Sequence, residues 1–196
     1  MKEPRLDIRI SSEVYPPSAD TYLLLDSVET NPDDVLLEVG CGSGYITVNL
    51  CEKVMKTVAL DIFDAAVRNT MENVERNHLQ NRCDVVQSDL FSAFTSRYKF
   101  SLIIFNPPYL PQDEFKTSLD HALVGGKTGI ELTEEFLNQA VEHLQLGGRI
   151  YVIVTSISDV EKIKSVMTDH LLAPTIVGQS SLFFERILVL RGILEK

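Results

Sequence analysis

Leu36-Leu37-Glu38-Val39-Gly40-Cys41-Gly42-Ser43-Gly44 carries an apolar run straight into three closely spaced glycines. Val35–Val39 has the composition of a strand buried on both faces. The glycines permit positive φ and a close approach of backbone to a ligand. A helix is expected after Gly44, with unpaired N–H groups at its start. The spacing is G-x-G-x-G rather than the G-x-G-x-x-G of dinucleotide folds. Glu38 stands two residues before the first glycine. An acid there repels pyrophosphate but suits a ligand with a cationic amino-acid portion. A glycine triplet alone describes a plain turn equally well, so the surrounding residues matter.

Short aliphatic runs recur at Val58–Leu60, Val85–Val86, Leu102–Phe105 and Ile150–Val154. Amphipathic stretches separate them. Val67, Met71 and Val74 are spaced i, i+4, i+7. Phe136, Leu137, Ala140, Val141 and Leu144 form a second stripe, with Thr133 as expected N-cap and Gly147-Gly148 as expected stop. Ser158-Asp159-Val160-Glu161 reads as a capping box before Ile163, Val166 and Met167. An earlier helix is expected from Asp20, carrying Tyr22 to Val28. This alternation predicts an α/β, doubly wound, Rossmann-like and mostly parallel sheet with helices on both faces. Near the C-terminus, Thr175–Gln179 and Phe183–Leu190 are separated only by Ser180, Ser181 and Leu182. That gap is too short for a helical crossover, so an antiparallel hairpin is expected there.

Two further acids lie at expected strand ends. Asp61 follows Val58–Leu60, 17 residues after Gly44, where such folds place an acid against ribose hydroxyls. Asp89, in Gln87-Ser88-Asp89-Leu90, is placed to accept from an exocyclic amino group. Each alone is commonly a solvated strand end. Three beside a glycine loop, on the edge where open α/β sheets bind ligands, point to one site. Gly125-Gly126-Lys127-Thr128 is no P-loop, because His121 occupies the position that motif reserves for glycine.

Phe100–Phe105 leads into Asn106-Pro107-Pro108-Tyr109. The prolines fix φ and remove two N–H donors, leaving a row of carbonyl acceptors. Asn106 adds another acceptor in its side chain. An amide or exocyclic amino nitrogen is a poor nucleophile because its lone pair is delocalised. Accepting hydrogen bonds from its NH₂ at the Asn106 oxygen and the Pro107 carbonyl favours pyramidal geometry and frees the lone pair to meet an electrophile. Tyr109 can stack on the planar group. Alignment of this kind needs no catalytic His, Cys or metal.

The chain has 196 residues, is 44% hydrophobic and 23% charged, and carries a net charge of −10 with a pI of about 4.8. That suits one domain, residues 1–196, with an N-terminal extension over 1–30 and a core over 31–196. No Lys/Arg cluster offers the basic footprint of an unaided nucleic-acid binder. No apolar run reaches the ~20 residues of a membrane span, and a cytoplasmic location is expected. Cys41, Cys51 and Cys83 lack C-x-x-C spacing and read as reduced apolar fillers.

Taken in order, Glu38–Gly44, Asp61, Asp89 and Asn106–Tyr109 resemble class I S-adenosylmethionine-dependent methyltransferases, and within them the HemK-like release-factor glutamine methyltransferases. Val14-Tyr15-Pro16-Pro17-Ser18-Ala19-Asp20-Thr21-Tyr22-Leu23-Leu24-Leu25 resembles a stretch of the short eukaryotic and archaeal members, as does Gly125–Gly129. The resemblance implies a seven-stranded sheet. It implies methylation of the glutamine side-chain amide in the Gly-Gly-Gln loop of a peptide chain release factor. S-adenosyl-L-methionine is the implied donor, with S-adenosyl-L-homocysteine as product, and a small zinc-binding activator protein the implied partner. Tyr15, Pro17, Asp20 and Thr21 would close the cofactor pocket. Glu38, Gly40 and Gly42 would hold the methionine end, with Cys41 and Gly44 in the same loop. Asp61, beside Ile62, would take the ribose, and Ser88, Asp89 and Leu90 the adenine. Asn106, Pro107, Pro108 and Tyr109 would hold the substrate amide, Asn106 also bordering the cofactor. Pro16 and Ala19 replace family acids, and Leu123 a tryptophan. Two alternatives stand beside this: a nucleic-acid N-methyltransferase acting on an exocyclic amino group, and a non-catalytic cofactor-binding scaffold.

Overall fold

Strand β1 (Val35–Val39) lies in the interior of a seven-stranded sheet, as suits a run with apolar residues on both faces. Our computed structural model describes residues 6–109, 126, 128–182 and 185–195. The remaining strands are β2 (Lys56–Asp61), β3 (Cys83–Gln87), β4 (Phe100–Phe105), β5 (Leu144–Thr155), β6 (Leu172–Leu182) and β7 (Glu185–Leu194), in the order β3-β2-β1-β4-β5-β7-β6. The first five are parallel, and β7 runs antiparallel to both β5 and β6. The expected sheet and hairpin are both present.

Successive side chains of a strand point to opposite faces. Leu37, Ile103, Ile150 and Val152 meet Phe136, Leu137, Ile163 and Met167 on one side. Leu36, Leu102, Ile104 and Tyr151 meet Leu24, Ile46 and Leu50 on the other. The first face is covered by α4 (Glu131–Ala140) and α5 (Val160–Asp169). The second is covered by α1 (Ala19–Ser27) and α2 (Tyr45–Leu50). Helix α3 (Asp64–Arg76) packs by β2 and β3. Each fully buried leucine contributes about 1.5–3 kcal/mol of transfer free energy. No helix among the described residues is long and apolar enough to cross a membrane. The three cysteines are free, buried and share one apolar cluster, as expected of small fillers.

Several local expectations are corrected. Helix α4 opens at Glu131, not after Thr133, which is buried within it. The Glu131 carboxylate folds back to accept from Thr128 N at 2.9 Å and Ile130 N at 3.2 Å, closing the turn ahead of the helix. Gly147-Gly148 does not stop the helix: α4 passes into a 3₁₀ turn at Val141–His143, and the glycines lie inside β5. There the pairing with β4 jumps from Leu144 to Arg149, so the glycines serve a bulge, with Gly147 at φ +73°. The cap of α5 is Asp159, accepting from Lys162 N at 3.0 Å, rather than Ser158. Met71 is 53% exposed, and Thr70 and Asn73 take the inward face instead. Ser180, Ser181 and Leu182 belong to β6 rather than to the hairpin loop. Phe183, His121 and Leu123 lie outside the described residues.

Candidate functional site

The strand order reverses between β1 and β4, and a crevice opens beyond the carboxyl ends there. Val39 pairs with Phe105, so the glycine loop and Asn106 leave the sheet side by side. The resulting cavity is about 490 Å³, within the range of small-molecule sites. Tyr15, Pro17, Asp20 and Thr21 form one wall. Glu38, Gly40, Cys41 and Gly42 form the floor beside β1. Asp61, Ile62, Ser88, Asp89 and Leu90 line the end beyond β2 and β3. Asn106, Pro107, Pro108 and Tyr109 close the opposite end. Gly44 alone of the expected set does not line the cavity. It starts α2 at φ +73°, and a side chain there would stand 2.9 Å from Thr70, so its service is close packing on α3.

Glu38 is buried, and its carboxylate accepts from the Thr47 hydroxyl. Burial pushes its carboxyl up to about 8, the Thr47 hydrogen bonds opposing and the nearby Asp61 charge adding to the rise. Burial also raises Asp61, against hydrogen bonds from the backbone N–H groups of Phe63 and Gly42. Those bonds measure 2.9 and 3.0 Å, so Asp61 ties the glycine loop to the end of β2. Beyond β3, the Ser88 hydroxyl donates to Leu90 O at 2.8 Å and accepts from Ala93 N at 3.1 Å. This turn holds Leu90 at φ +43°, a left-handed conformation that leucine seldom adopts and that strained ligand-binding loops often contain.

Asn106 gives the sharpest chemical signal. Its Nδ2 donates to Asp20 at 3.2 Å, while its Oδ1 is buried with no hydrogen-bond partner among the described residues. A buried acceptor left alone costs about 1–3 kcal/mol, a cost that a donor on a ligand would remove. The Tyr109 hydroxyl donates to the same Asp20 oxygen at 3.3 Å. Burial raises its phenol well above the usual value, with the Asp20 charge adding to the rise. Tyr109 is thus a neutral donor and ring wall at physiological pH. A carbonyl-rich end opposite an acidic floor suits a planar NH₂ group brought to a cationic co-substrate.

A family model described as the methyltransferase small domain matches residues 18–184. The chain belongs to this family. Among its relatives is a Methanocaldococcus jannaschii protein bearing the name of a protein N5-glutamine methyltransferase. The two are 33% identical over 157 residues, covering 78% of each chain. A Clostridium botulinum release factor glutamine methyltransferase is 32% identical over 160 residues, which are 74% of this chain and 56% of that one. The methyltransferase therefore spans most of the archaeal relative but little more than half of the bacterial one. Its fold matches the E. cuniculi Mtq2 chain, whose complex with Trm112 is described as responsible for methylation of the eRF1 translation termination factor. That match has a TM-score of 0.71 at 20% identity, over 94% of this chain and 99% of that one. These relationships place the methyltransferase with the HemK-like glutamine methyltransferases.

One feature of the methyltransferase escaped the sequence reading. Asn69, Asn73 and Asn77 lie at i, i+4 and i+8 along one side of α3 and its end. Their side-chain oxygens accept from Ser11 N, Arg9 N and Asp7 N at 2.9, 2.8 and 2.9 Å. Their amino groups return bonds to Arg9 O and Asp7 O. This ladder pairs an extended N-terminal strap in place of a neighbouring strand, and the strap delivers Val14 and Tyr15 to the cavity. Asn73 is fully buried and also donates to Ser43 O at 2.8 Å, joining strap to glycine loop. Three asparagines at helical spacing, where asparagine is a poor helix former, were the available signal. Asn73→Ala should cost about 1–3 kcal/mol by orphaning buried partners. Urea unfolding measures the loss, and hydrogen exchange should quicken at Arg9 and Ser11. An unchanged midpoint with protected strap amides would show that the ladder holds nothing.

Proposed function

We propose that this methyltransferase methylates the side-chain amide of the glutamine in the Gly-Gly-Gln loop of a peptide chain release factor. The observation that carries the chemistry is the Asn106 Oδ1, buried without a partner among the described residues at the end of an acid-floored cavity. The named activities of the relatives support the choice of glutamine, and the E. cuniculi complex supports the choice of factor. Asn106 Oδ1 and the Pro107 carbonyl accept the two N–H bonds of the target amide, while Tyr109 walls its planar face. S-adenosylmethionine, when bound, supplies an electrophilic methyl group on a sulfonium. The residues present fit it. Glu38 offers a buried acceptor to a cationic α-amino group, and Asp61 retains lone pairs for ribose hydroxyls. Asp89 stands at the rim for an adenine amino group, with Ile62 and Leu90 as its apolar sides. We read the chain as one catalytic domain whose first thirty residues close the cofactor side. We also propose a small zinc-binding activator as partner, by analogy with the complexed E. cuniculi relative. The deciding experiment offers labelled methyl donor with release factor and with RNA in parallel. Label on the factor supports this reading, and label only on RNA moves the substrate to an exocyclic base nitrogen.

Glu38 adds a pH signature. In the free protein its raised carboxyl holds a proton at neutral pH, and a cation beside it favours the ionised form. Affinity for S-adenosylhomocysteine should therefore rise as pH climbs towards about 8. Calorimetry in buffers of different ionisation enthalpy should detect proton release, and Glu38→Gln should abolish it. The same shift stabilises the free fold fully below the ordinary carboxyl value of 4.5, and that stabilisation is lost as pH rises through about 8. Binding that is independent of pH and buffer would remove Glu38 from the ligand.

A further inference from the structure

We propose that Asp20 is a positioning residue that dictates which atom of the Asn106 amide meets the target, an inference that rests on the amide-methylation reading above. Asp20 sits in the first turn of α1 and is 4% exposed. Its Oδ1 accepts from Thr21 N at 2.7 Å and from the Thr21 hydroxyl at 3.3 Å. Its Oδ2 accepts from Asn106 Nδ2 at 3.2 Å and from the Tyr109 hydroxyl at 3.3 Å. One carboxylate oxygen thus ties together the first and last residues of the Asn106–Tyr109 segment.

An ionised carboxylate accepts and never donates, whereas an asparagine amide presents an acceptor on one side and donors on the other. The side of Asn106 facing Asp20 must therefore be its NH₂. The oxygen is left on the other side as an acceptor without a partner among the described residues. Without that constraint the amide can turn over, and a flipped Asn106 would offer N–H to the N–H of its substrate. Asp20 itself cannot reorient, because the Thr21 backbone N–H holds its other oxygen.

The decisive variant is Asp20→Asn, which keeps size and shape. The new side-chain oxygen stays on the Thr21 N–H, a donor that no rotation can convert. Its NH₂ then faces Asn106, forces that amide over, and turns donors towards the target. Turnover should fall by at least ~10²-fold, the loss typical of one misdirected preorganised group. S-adenosylhomocysteine affinity should fall far less than turnover, although Asp20 borders the same cavity. The double variant Asp20→Asn/Asn106→Asp exchanges the two groups. The amide at 20 donates to the carboxylate at 106, whose other oxygen again faces the target. It should recover about tenfold over Asp20→Asn, within the couplings seen between touching residues. Near-normal turnover in Asp20→Asn would overturn the proposal. So would a loss of S-adenosylhomocysteine affinity as large as the loss of turnover, since the defect would then lie in the cavity wall that Asp20 shares and not at the Asn106 amide. A double variant no faster than Asp20→Asn would reduce Asp20 to a structural role. Normal turnover in Asn106→Ala would sink the amide reading itself, whereas an inactive Asn106→Ala beside an active Asp20→Asn would sink only this inference.

Discussion

Asn106→Ala should lower kcat by at least ~10²-fold while S-adenosylhomocysteine binds nearly as well as to the parent chain. The split follows from where the side chain points. Asn106 Nδ2 is engaged by Asp20, and Oδ1, without a partner among the described residues, is the atom proposed to meet the target. Removing it takes away an interaction made with the reacting nitrogen, so kcat should carry the loss. Asn106→Asp should be equally slow for two reasons. A second carboxyl group then faces Asp20 where an NH₂ donor stood, which disturbs the wall. The added charge also holds a ground-state cation more tightly than a transition state in which the charge disperses. Neither change opens a large cavity, so the fold should survive. Turnover and product binding measured on the same preparations decide the matter. Near-normal turnover in Asn106→Ala would leave Asn106–Tyr109 as a rigid turn and nothing more.

Asp61→Ala should weaken S-adenosylhomocysteine binding by roughly tenfold to a hundredfold, the cost of losing a charged acceptor at about 1.5–3 kcal/mol. The structure adds a second reason for the loss. Both Asp61 oxygens already accept backbone N–H bonds, from Phe63 and from Gly42. Alanine would remove the proposed ribose acceptor and also loosen the glycine loop beside Glu38. Affinity should therefore fall towards the weaker end of that range. Asp61→Asn, which retains one acceptor for the loop, should lose less. Calorimetry checks both, and unchanged affinity in Asp61→Ala would remove the residue from the site.

The parallel strands were legible because burial on both faces leaves unbroken aliphatic runs, as in Leu36-Leu37 and Leu102-Ile103-Ile104. The acids were legible because they follow those runs at the ligand-binding edge. Where reading failed, a local signal served a tertiary purpose. Gly147-Gly148 resembles a helix stop, yet its glycines accommodate a bulge in β5. Ser180–Leu182 resembles a loop, but pairing with β7 extends β6 through it. Met71 fits an apolar period, yet Asn73 displaces it inward because the strap's backbone needs side-chain partners. Asp20 was readable only as a family position, since its contact with Asn106 spans 86 residues of sequence. Long-range polar pairings of this kind leave no periodic trace in one chain.

The most direct measurement is tandem mass spectrometry of a class I release factor after incubation with the methyltransferase, the proposed activator and S-adenosylmethionine. The account predicts a single added methyl on the side-chain nitrogen of the Gly-Gly-Gln glutamine, and none when Asn106→Ala replaces the parent enzyme. An unmodified glutamine, with the methyl appearing instead on an RNA base, would contradict it.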